Sequence, residues 1–131
     1  MVEITRLDQY RDERGSAYEP LGPDELPEQR NVHVVITHPG HVRGNHFHRQ
    51  DREILTVRGP ALVRYREPDA AGTDQDVTVE AGDVMAFRFP PGVPHAVLNT
   101  GQDPNVIVAF KDRPHDPRDP DTERLVLIGT E

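Results

Sequence analysis

Thirteen prolines are distributed along the 131 residues of the chain, which is about twice the average usage of this residue. Proline breaks helices and is confined to turns and to the edges of sheets. Between the prolines lie short runs rich in valine and isoleucine, bounded by glycine and proline turns. This spacing predicts an all-β sandwich or barrel and argues against a helical bundle.

The chain length fits one structural domain with a core of its own. We expect residues 1–30, which are polar and irregular, to form an arm with one or two short strands that packs on a barrel of residues 31–131. A polar hairpin tip is expected at residues 67–76 and an extended surface loop at residues 114–122. The predicted barrel strands cover residues 31–37, 45–48, 53–57, 61–66, 77–79, 84–89, 95–99, 106–110 and 125–128.

Two blocks of the sequence carry residues suited to chemistry. The blocks read Gly40-(x5)-His46-Phe47-His48-(x4)-Glu53-(x5)-Gly59 and Pro91-Gly92-Val93-Pro94-His95-(x3)-Asn99. Side chains at positions i and i+2 of a strand point to the same face, so His46 and His48 project into one space. Glu53 and His95 each open a further predicted strand. If the two blocks pair within one barrel, all four side chains converge.

Three imidazoles and one carboxylate are ligands for a single divalent transition metal. They suit zinc, iron, manganese, nickel or copper and are a poor cage for calcium or magnesium, which prefer oxygen. The alternative is that these histidines are ordinary strand residues, because a chain with seven histidines can contain one His-x-His by chance.

Charge and composition exclude several classes of function. Cysteine is absent, which excludes disulfides, zinc–thiolate sites and cysteine nucleophiles. The formal net charge of −8 and the lack of a dense basic cluster argue against nucleic-acid binding. The sequence has neither an apolar run long enough to span a membrane nor the apolar core of a signal peptide, so we expect a cytoplasmic protein.

The two blocks resemble the paired motifs of the cupins, which are double-stranded β-helix, or jelly-roll, barrels. All four metal ligands of that pattern are present, as His46, His48, Glu53 and His95. The first block is one residue short before Gly59, and the second is two residues longer between Gly82 and Pro90. Cupins pair through strand exchange or sheet stacking, so the resemblance implies a homodimer.

A narrower resemblance covers most of the chain. It is similar to the cupin domain at the C-terminus of capsular-polysaccharide sugar-nucleotide reductases, and to the sugar-nucleotide 3,4-ketoisomerases and 3-epimerases. The segments that carry it are Asp12-Glu13-Arg14-Gly15-Ser16, Arg43-Gly44-Asn45-His46-Phe47-His48 and Asp116-Pro117-Arg118-Asp119-Pro120-Asp121-Thr122. The resemblance implies epimerisation or isomerisation of a keto sugar nucleotide beside a metal such as zinc. No Gly-x-Gly-x-x-Gly fingerprint is found, so we expect any reduction step to come from another protein.

Such a reaction needs a base for the C3 proton and a grip on the diphosphate, besides a metal that polarises the ketone. His33 is the candidate base, Tyr65 the candidate acid, and Arg43 and Arg64 the candidate substrate-binding residues. The alternatives are a surface strand histidine, a packing tyrosine and exposed solubilising arginines. Related ketoisomerases work without metal through a histidine base, which leaves a metal-free role open for His46 and His48.

Two functions from other classes remain open. An iron- or manganese-dependent dioxygenase would use the same four ligands, because one fold hosts many chemistries. A non-catalytic cupin that binds a sugar is the other alternative. Zinc in the purified protein would favour isomerisation, and iron with oxygen uptake would favour oxygenation.

Overall fold

The computed structural model describes residues 1–69 and 72–129, and within these ranges the chain forms twelve strands and one 3₁₀ turn at Leu26–Glu28. The strands are β1 (Glu3–Arg6), β2 (Tyr10–Asp12), β3 (Gly15–Ala17), β4 (Asn31–Thr37), β5 (Val42–His48), β6 (Glu53–Arg58), β7 (Ala61–Tyr65), β8 (Gln75–Val79), β9 (Val84–Phe89), β10 (His95–Asn99), β11 (Asn105–Lys111) and β12 (Thr122–Arg124). No helix in the described part of the chain is long and apolar enough to cross a bilayer.

Ten of these strands form two antiparallel sheets. The first sheet has the order β1-β9-β6-β11-β4, the second has the order β12-β5-β10-β7-β8, and β2 and β3 pair as a separate hairpin. Apart from the β7–β8 hairpin, consecutive strands from β4 to β12 alternate between the sheets, so most neighbours within a sheet are distant in sequence. The fold is the predicted cupin jelly roll.

The core lies between the inner faces of the two sheets. Its centre is formed by Val57, Val63, Phe87 and Phe89, which are at most 1% exposed. Each such side chain contributes roughly 1.5–3 kcal/mol by leaving water. The burial of these side chains therefore fixes which face of their strands turns inward.

The N-terminal segment contributes to the first sheet. β1 pairs with β9 from Glu3 opposite Arg88 to Arg6 opposite Met85. Arg88 also donates two hydrogen bonds to the Glu25 carboxylate and one to the Thr5 hydroxyl. The segment thus holds three short strands where one or two were expected, while its separation from the barrel as an arm stays a prediction.

The predicted strand at residues 125–128 is wrong, because the last strand is β12, which lies immediately before it. The amide N–H groups of Leu127 and Ile128 donate to the side chain of Asn45 and not to a neighbouring strand. Leu127 and Ile128 are nevertheless buried, as their apolarity required, against the outer face of the second sheet at Ala96. A short apolar run predicts a strand, but its periodicity does not distinguish a buried turn from a short strand.

The predicted hairpin tip at residues 67–76 lies between β7 and β8. Positions 70 and 71 fall outside the described residues, and Gln75 and Asp76 belong to β8, which begins two residues earlier than expected. The other barrel strands lie within a few residues of their predicted positions.

Candidate metal centre

β5 and β10 bring three imidazoles together in the second sheet. His95, the first residue of β10, pairs in register with His46, and His48 follows two residues later on the same face of β5. The ring centroid of His46 lies 4.9 Å from that of His48 and 5.0 Å from that of His95. The expected projection of these side chains into one space is what the structure has.

A β-bulge in β5 makes this approach possible. The pairing shifts between His95 and Ala96, so that Ala96 lies opposite Gly44 and Asn45 is extra. Gly44 and Asn45 both have positive φ, at 87° and 56°. A Cβ atom at Gly44 would lie 2.7 Å from the His95 carbonyl oxygen, so only glycine lets the strands come this close.

Glu53 reaches the imidazoles from the other sheet, as the first residue of β6. Its Oε1 lies 2.8 Å from Nε2 of His95 and 3.3 Å from Nε2 of His48. Burial acts to raise the pKa of Glu53, but the neighbouring imidazoles of His95 and His48 outweigh it and lower the pKa well below its usual range. A buried carboxylate that stays ionised among imidazoles is a strong ligand for a cation.

The four donor groups converge on one point. One ligand atom from each of His46, His48, Glu53 and His95 lies within 4.8 Å of the others. Burial, with the charge of His95 next in size, lowers the pKa of His46 to about 4, so this imidazole is neutral near pH 7. Neutral imidazole is the form that coordinates a metal.

The outer nitrogens of two imidazoles are already occupied. Nδ1 of His48 lies 3.1 Å from the Asp121 carbonyl oxygen, and Nδ1 of His95 lies 3.0 Å from that of Val93. A carbonyl only accepts, so each Nδ1 carries a proton and each Nε2 is directed to the centre. Nε2 of His48 is buried, and its contact with Glu53 at 3.3 Å is not a well-aligned hydrogen bond. These donors fit a transition metal.

The ring of His95 has an aromatic support. It stacks on Phe89 with ring centroids 4.2 Å apart and planes inclined by 4°. Phe89 in turn lies above Phe87 in the core. Sequence reasoning missed Phe89, whose only signal was its place at the end of a predicted strand.

A cavity of about 220 Å³ opens beside the four ligands. Its wall combines the ligands with apolar side chains from the inner faces of both sheets, notably Leu55, Val97 and Ile107. Two other predicted residues line it. His33 lies on β4, and Arg43, on β5, donates a hydrogen bond of 2.9 Å to the Ile36 carbonyl oxygen.

Tyr65 and Arg64 are not among the residues that line this cavity. Tyr65 pairs with His95 across the strands and its ring packs 6.0 Å from that of Phe89. Burial and the charge of Glu67 raise the pKa of Tyr65. Its role as an acid stays a prediction.

Arg64 lies on the opposite face of β7 from the ligands. Its guanidinium makes two hydrogen bonds to the Asp76 carboxylate and one to the Leu127 carbonyl oxygen. In the strand register Arg64 lies opposite Ala96, whose side chain packs with Leu127 and Ile128 on the outer face of the second sheet. The structure therefore does not bring Arg64 together with the other candidates.

A second group of ligand-type residues, His48, Asp51 and Asp121, also lies within 4.8 Å. Both oxygens of Asp121 accept backbone N–H groups of the β5–β6 turn. Asp51 faces Lys111 and Arg113, whose side-chain nitrogens lie 3.9 and 3.7 Å from its oxygens. These carboxylates are compensated within the protein, so the group is a structural cluster.

Comparison with known sequences identifies the chain's relatives. The sequence profile of the polysaccharide biosynthesis C-terminal domain matches residues 10–123, which include all four converging ligands. The chain belongs to this family. No curated protein matches the chain in a search of whole sequences.

Solved structures agree with this family assignment. The capsular polysaccharide assembling protein CapF from Staphylococcus aureus is 28% identical with a TM-score of 0.69, and the match covers 92% of this chain and 34% of CapF. A dTDP sugar isomerase from Desulfovibrio desulfuricans is 21% identical with a TM-score of 0.77, over 94% of this chain and 82% of that one. ChmJ, a 3'-monoepimerase from Streptomyces bikiniensis solved with dTDP-quinovose, is 18% identical with a TM-score of 0.76, over 94% and 68%. The chain thus spans about a third of CapF, and the other two likenesses show the shared fold.

Proposed function

We propose that this member of the family binds one divalent transition metal, zinc by first expectation, and catalyses C3 epimerisation or keto isomerisation of a keto sugar nucleotide. The observation that carries the proposal is the convergence of four ligand atoms within 4.8 Å, among them a buried Nε2 of His48 that faces Glu53 without a well-aligned hydrogen bond. When bound, zinc supplies Lewis acidity without redox chemistry.

His33 is the proposed base. It lies in the cavity wall, and its Nδ1 lies 3.1 Å from Oδ1 of Asn31. The residue is exposed on β4, and partial desolvation at the cavity wall lowers the pKa of His33, although the charge of Glu53 acts in the opposite direction. The imidazole is therefore largely neutral near pH 7 and has a lone pair for the C3 proton of a bound ketone.

Arg43 is the proposed contact for the diphosphate. Its guanidinium lies at the cavity wall and uses one nitrogen on the Ile36 carbonyl, which leaves further N–H donors for phosphate oxygens. The choice of substrate class is supported by the family and by the names of the structural neighbours, which include a 3,4-ketoisomerase solved with TDP.

The test begins with elemental analysis of the purified protein. The zinc-loaded protein is then incubated in D₂O with UDP- and dTDP-4-keto sugars, and deuterium at C3 is followed by NMR. We expect incorporation by the wild type and its loss in His33→Asn with zinc binding retained. His38→Asn, at an exposed histidine in the next turn, is the matched control.

Other outcomes would replace the proposal. Iron in the purified protein together with oxygen uptake would indicate a dioxygenase on the same ligands. Tight binding of the sugar nucleotides with no exchange at C3 would indicate a binding protein.

We also propose that two copies of the chain associate. β4 is an edge strand, and its outward side chains Val32, Val34 and Ile36 are 59%, 62% and 53% exposed. A row of exposed apolar residues on an edge strand is costly in water and is usually covered. Light scattering at micromolar protein should give a dimer mass, and a monomer mass would contradict this. The cytoplasmic location stays a prediction.

A further inference from the structure

The turn between β5 and β6 is held by one carboxylate from the far end of the chain. Oδ1 of Asp121 accepts backbone N–H groups from Arg49 at 3.1 Å and Gln50 at 3.2 Å. Oδ2 accepts those of Gln50 at 2.9 Å and Asp51 at 2.8 Å. Asp121 is 7% exposed, so these bonds are shielded from water. Three successive N–H groups converging on one anion fix the backbone of the turn.

The main chain of the same residue reaches the metal centre. The carbonyl oxygen of Asp121 lies 3.1 Å from Nδ1 of His48, and the next residue, Thr122, pairs with His48 in the register of β12 and β5. Asp121 therefore binds the His48 imidazole through its carbonyl oxygen and the backbone of the next three residues through its carboxylate. Its φ of 54° is in the left-handed region, which aspartate tolerates better than most residues.

Neutral imidazole has two tautomers, and only one leaves Nε2 free for a metal. The Asp121 carbonyl can accept from Nδ1 only when that nitrogen is protonated, and the ring orientation that this bond fixes turns Nε2 toward Glu53 and the centre. The Asp121 carboxylate binds the β5–β6 turn, which follows His48. It therefore also fixes where the Asp121 carbonyl lies relative to β5.

We propose that Asp121 is a positioning residue for the metal centre, which fixes the ring orientation and the tautomer of His48 through a carboxylate latch on the β5–β6 turn. The proposal rests on the proposed metal site, and it gives a role to the Asp-rich segment of residues 116–121 that the reaction itself does not use.

Two substitutions change the carboxylate of residue 121 and keep its main-chain carbonyl, so they test the carboxylate alone. Asp121→Gly removes the latch and keeps a residue that accepts positive φ, and Asp121→Asn keeps one acceptor oxygen as a partial rescue. Asp119→Asn is the matched control, because Asp119 bonds Arg49 at the surface with a side chain that is 63% exposed and does not touch His48.

The first measurement is zinc affinity of the full chain, by competition with a chromophoric chelator. Loss of a partner behind a metal-ligating histidine costs about 10–100-fold in affinity. Asp121→Gly keeps the carbonyl that His48 bonds and removes only the carboxylate that fixes its position, so we expect a loss at the lower end of this range, about 10-fold. Asp121→Asn should lie between it and the wild type, and Asp119→Asn should stay within about twofold of the wild type.

The second measurement reads the tautomer without metal. In ¹⁵N-labelled protein at mildly alkaline pH, long-range proton–nitrogen NMR should show Nδ1 of His48 protonated in the wild type and a mixture of tautomers in Asp121→Gly. A merely structural latch would leave this signal unchanged, and so would overturn the proposal, as would equal zinc affinity in Asp121→Gly and wild type.

The two claims fail separately. If the wild type binds no zinc, the proposed metal function is wrong, and the ring-nitrogen spectrum alone decides whether Asp121 orients His48. If Asp121→Gly does not fold, the same two readouts are taken on Asp121→Asn, where an unchanged tautomer together with unchanged affinity contradicts the proposal.

Discussion

Two histidines of the centre meet the same requirement by different routes. His95 directs Nδ1 to a carbonyl two residues earlier, at Val93, and rests on Phe89. His48 directs Nδ1 to Asp121, 73 residues later. The first support comes with the turn that precedes β10, whereas the second exists only when the C-terminal segment has docked on β5. A metal centre of this type is therefore partly built by local sequence and partly by the completed fold.

The comparison is tested most severely by removing either histidine. If both are ligands, His48→Asn and His95→Asn should each cost about a quarter of the binding free energy of a four-ligand zinc site, which is about 2.5–4 kcal/mol or roughly two to three orders of magnitude in affinity. Chelator competition measures this. His41→Asn, at an exposed turn histidine, is the control, and a ligand variant that binds like this control would remove its histidine from the centre.

The long-range support also depends on Asn45. Its side-chain oxygen accepts the N–H groups of Leu127 and Ile128, and its Nδ2 donates to the Ile128 carbonyl at 3.0 Å. Losing these buried partners in Asn45→Gly should lower the free energy of unfolding by about 2–3 kcal/mol. Asn45→Ala should lower the free energy of unfolding by about 1 kcal/mol more than Asn45→Gly, because a positive φ is unfavourable for alanine.

Urea unfolding of the metal-free protein measures both Asn45 variants. A wild-type midpoint in Asn45→Gly would show that the C-terminal segment does not need this side chain, and the long-range support would then lie with Asp121 alone.

His46 differs from both in how acid affects it. Its pKa in the folded protein is lowered to about 4, so on acidification the unfolded chain takes up this proton first. Above about pH 6.5, His46 is neutral in both states and does not lower the free energy of unfolding. As the pH falls toward 4, its protonation in the unfolded chain lowers the free energy of unfolding by about 2 kcal/mol. His46→Gln should make the fall in unfolding free energy across this window shallower, and an unchanged slope in urea titrations would contradict this.

The local support of His95 is expected to give the smallest effect. Phe87→Leu and Phe89→Leu both replace a fully buried ring with a smaller aliphatic side chain. Each should lower the free energy of unfolding by about 1–2 kcal/mol. Only Phe89→Leu removes the stack on His95, which is worth about 0.5–1.5 kcal/mol and so about twofold to twelvefold in zinc affinity. Equal affinity in the two variants would show that the stack does not orient the imidazole.

Much of the fold follows from local sequence. Valine-rich runs bounded by Gly and Pro turns predicted the barrel strands, because side-chain alternation and turn chemistry act over a few residues. The convergence of His46 and His48 with Glu53 and His95 followed from strand geometry once two blocks were assumed to pair. In the structure the two blocks do pair, and the four side chains converge.

What the sequence could not predict depends on partners distant along the chain. The run at residues 125–128 looked like a strand, but its N–H groups bond the Asn45 side chain, and no local pattern signals that. The role of Asp121 was not predicted for the same reason, because the backbone groups that it binds lie 70–72 residues earlier in the chain. Arg64 is different, since strand alternation puts it on the face of β7 opposite to Val63 and Tyr65, so the sequence could have excluded it from the cavity.

The central claim is that His46, His48, Glu53 and His95 hold one metal ion between the two sheets. X-ray absorption at the zinc edge of the zinc-loaded full chain tests it most directly. The expected first shell has three imidazole nitrogens at about 2.0–2.1 Å and a carboxylate oxygen at about 2.0–2.2 Å. A protein that retains no zinc, or a shell of oxygen atoms without the outer scattering of imidazole rings, would contradict the account.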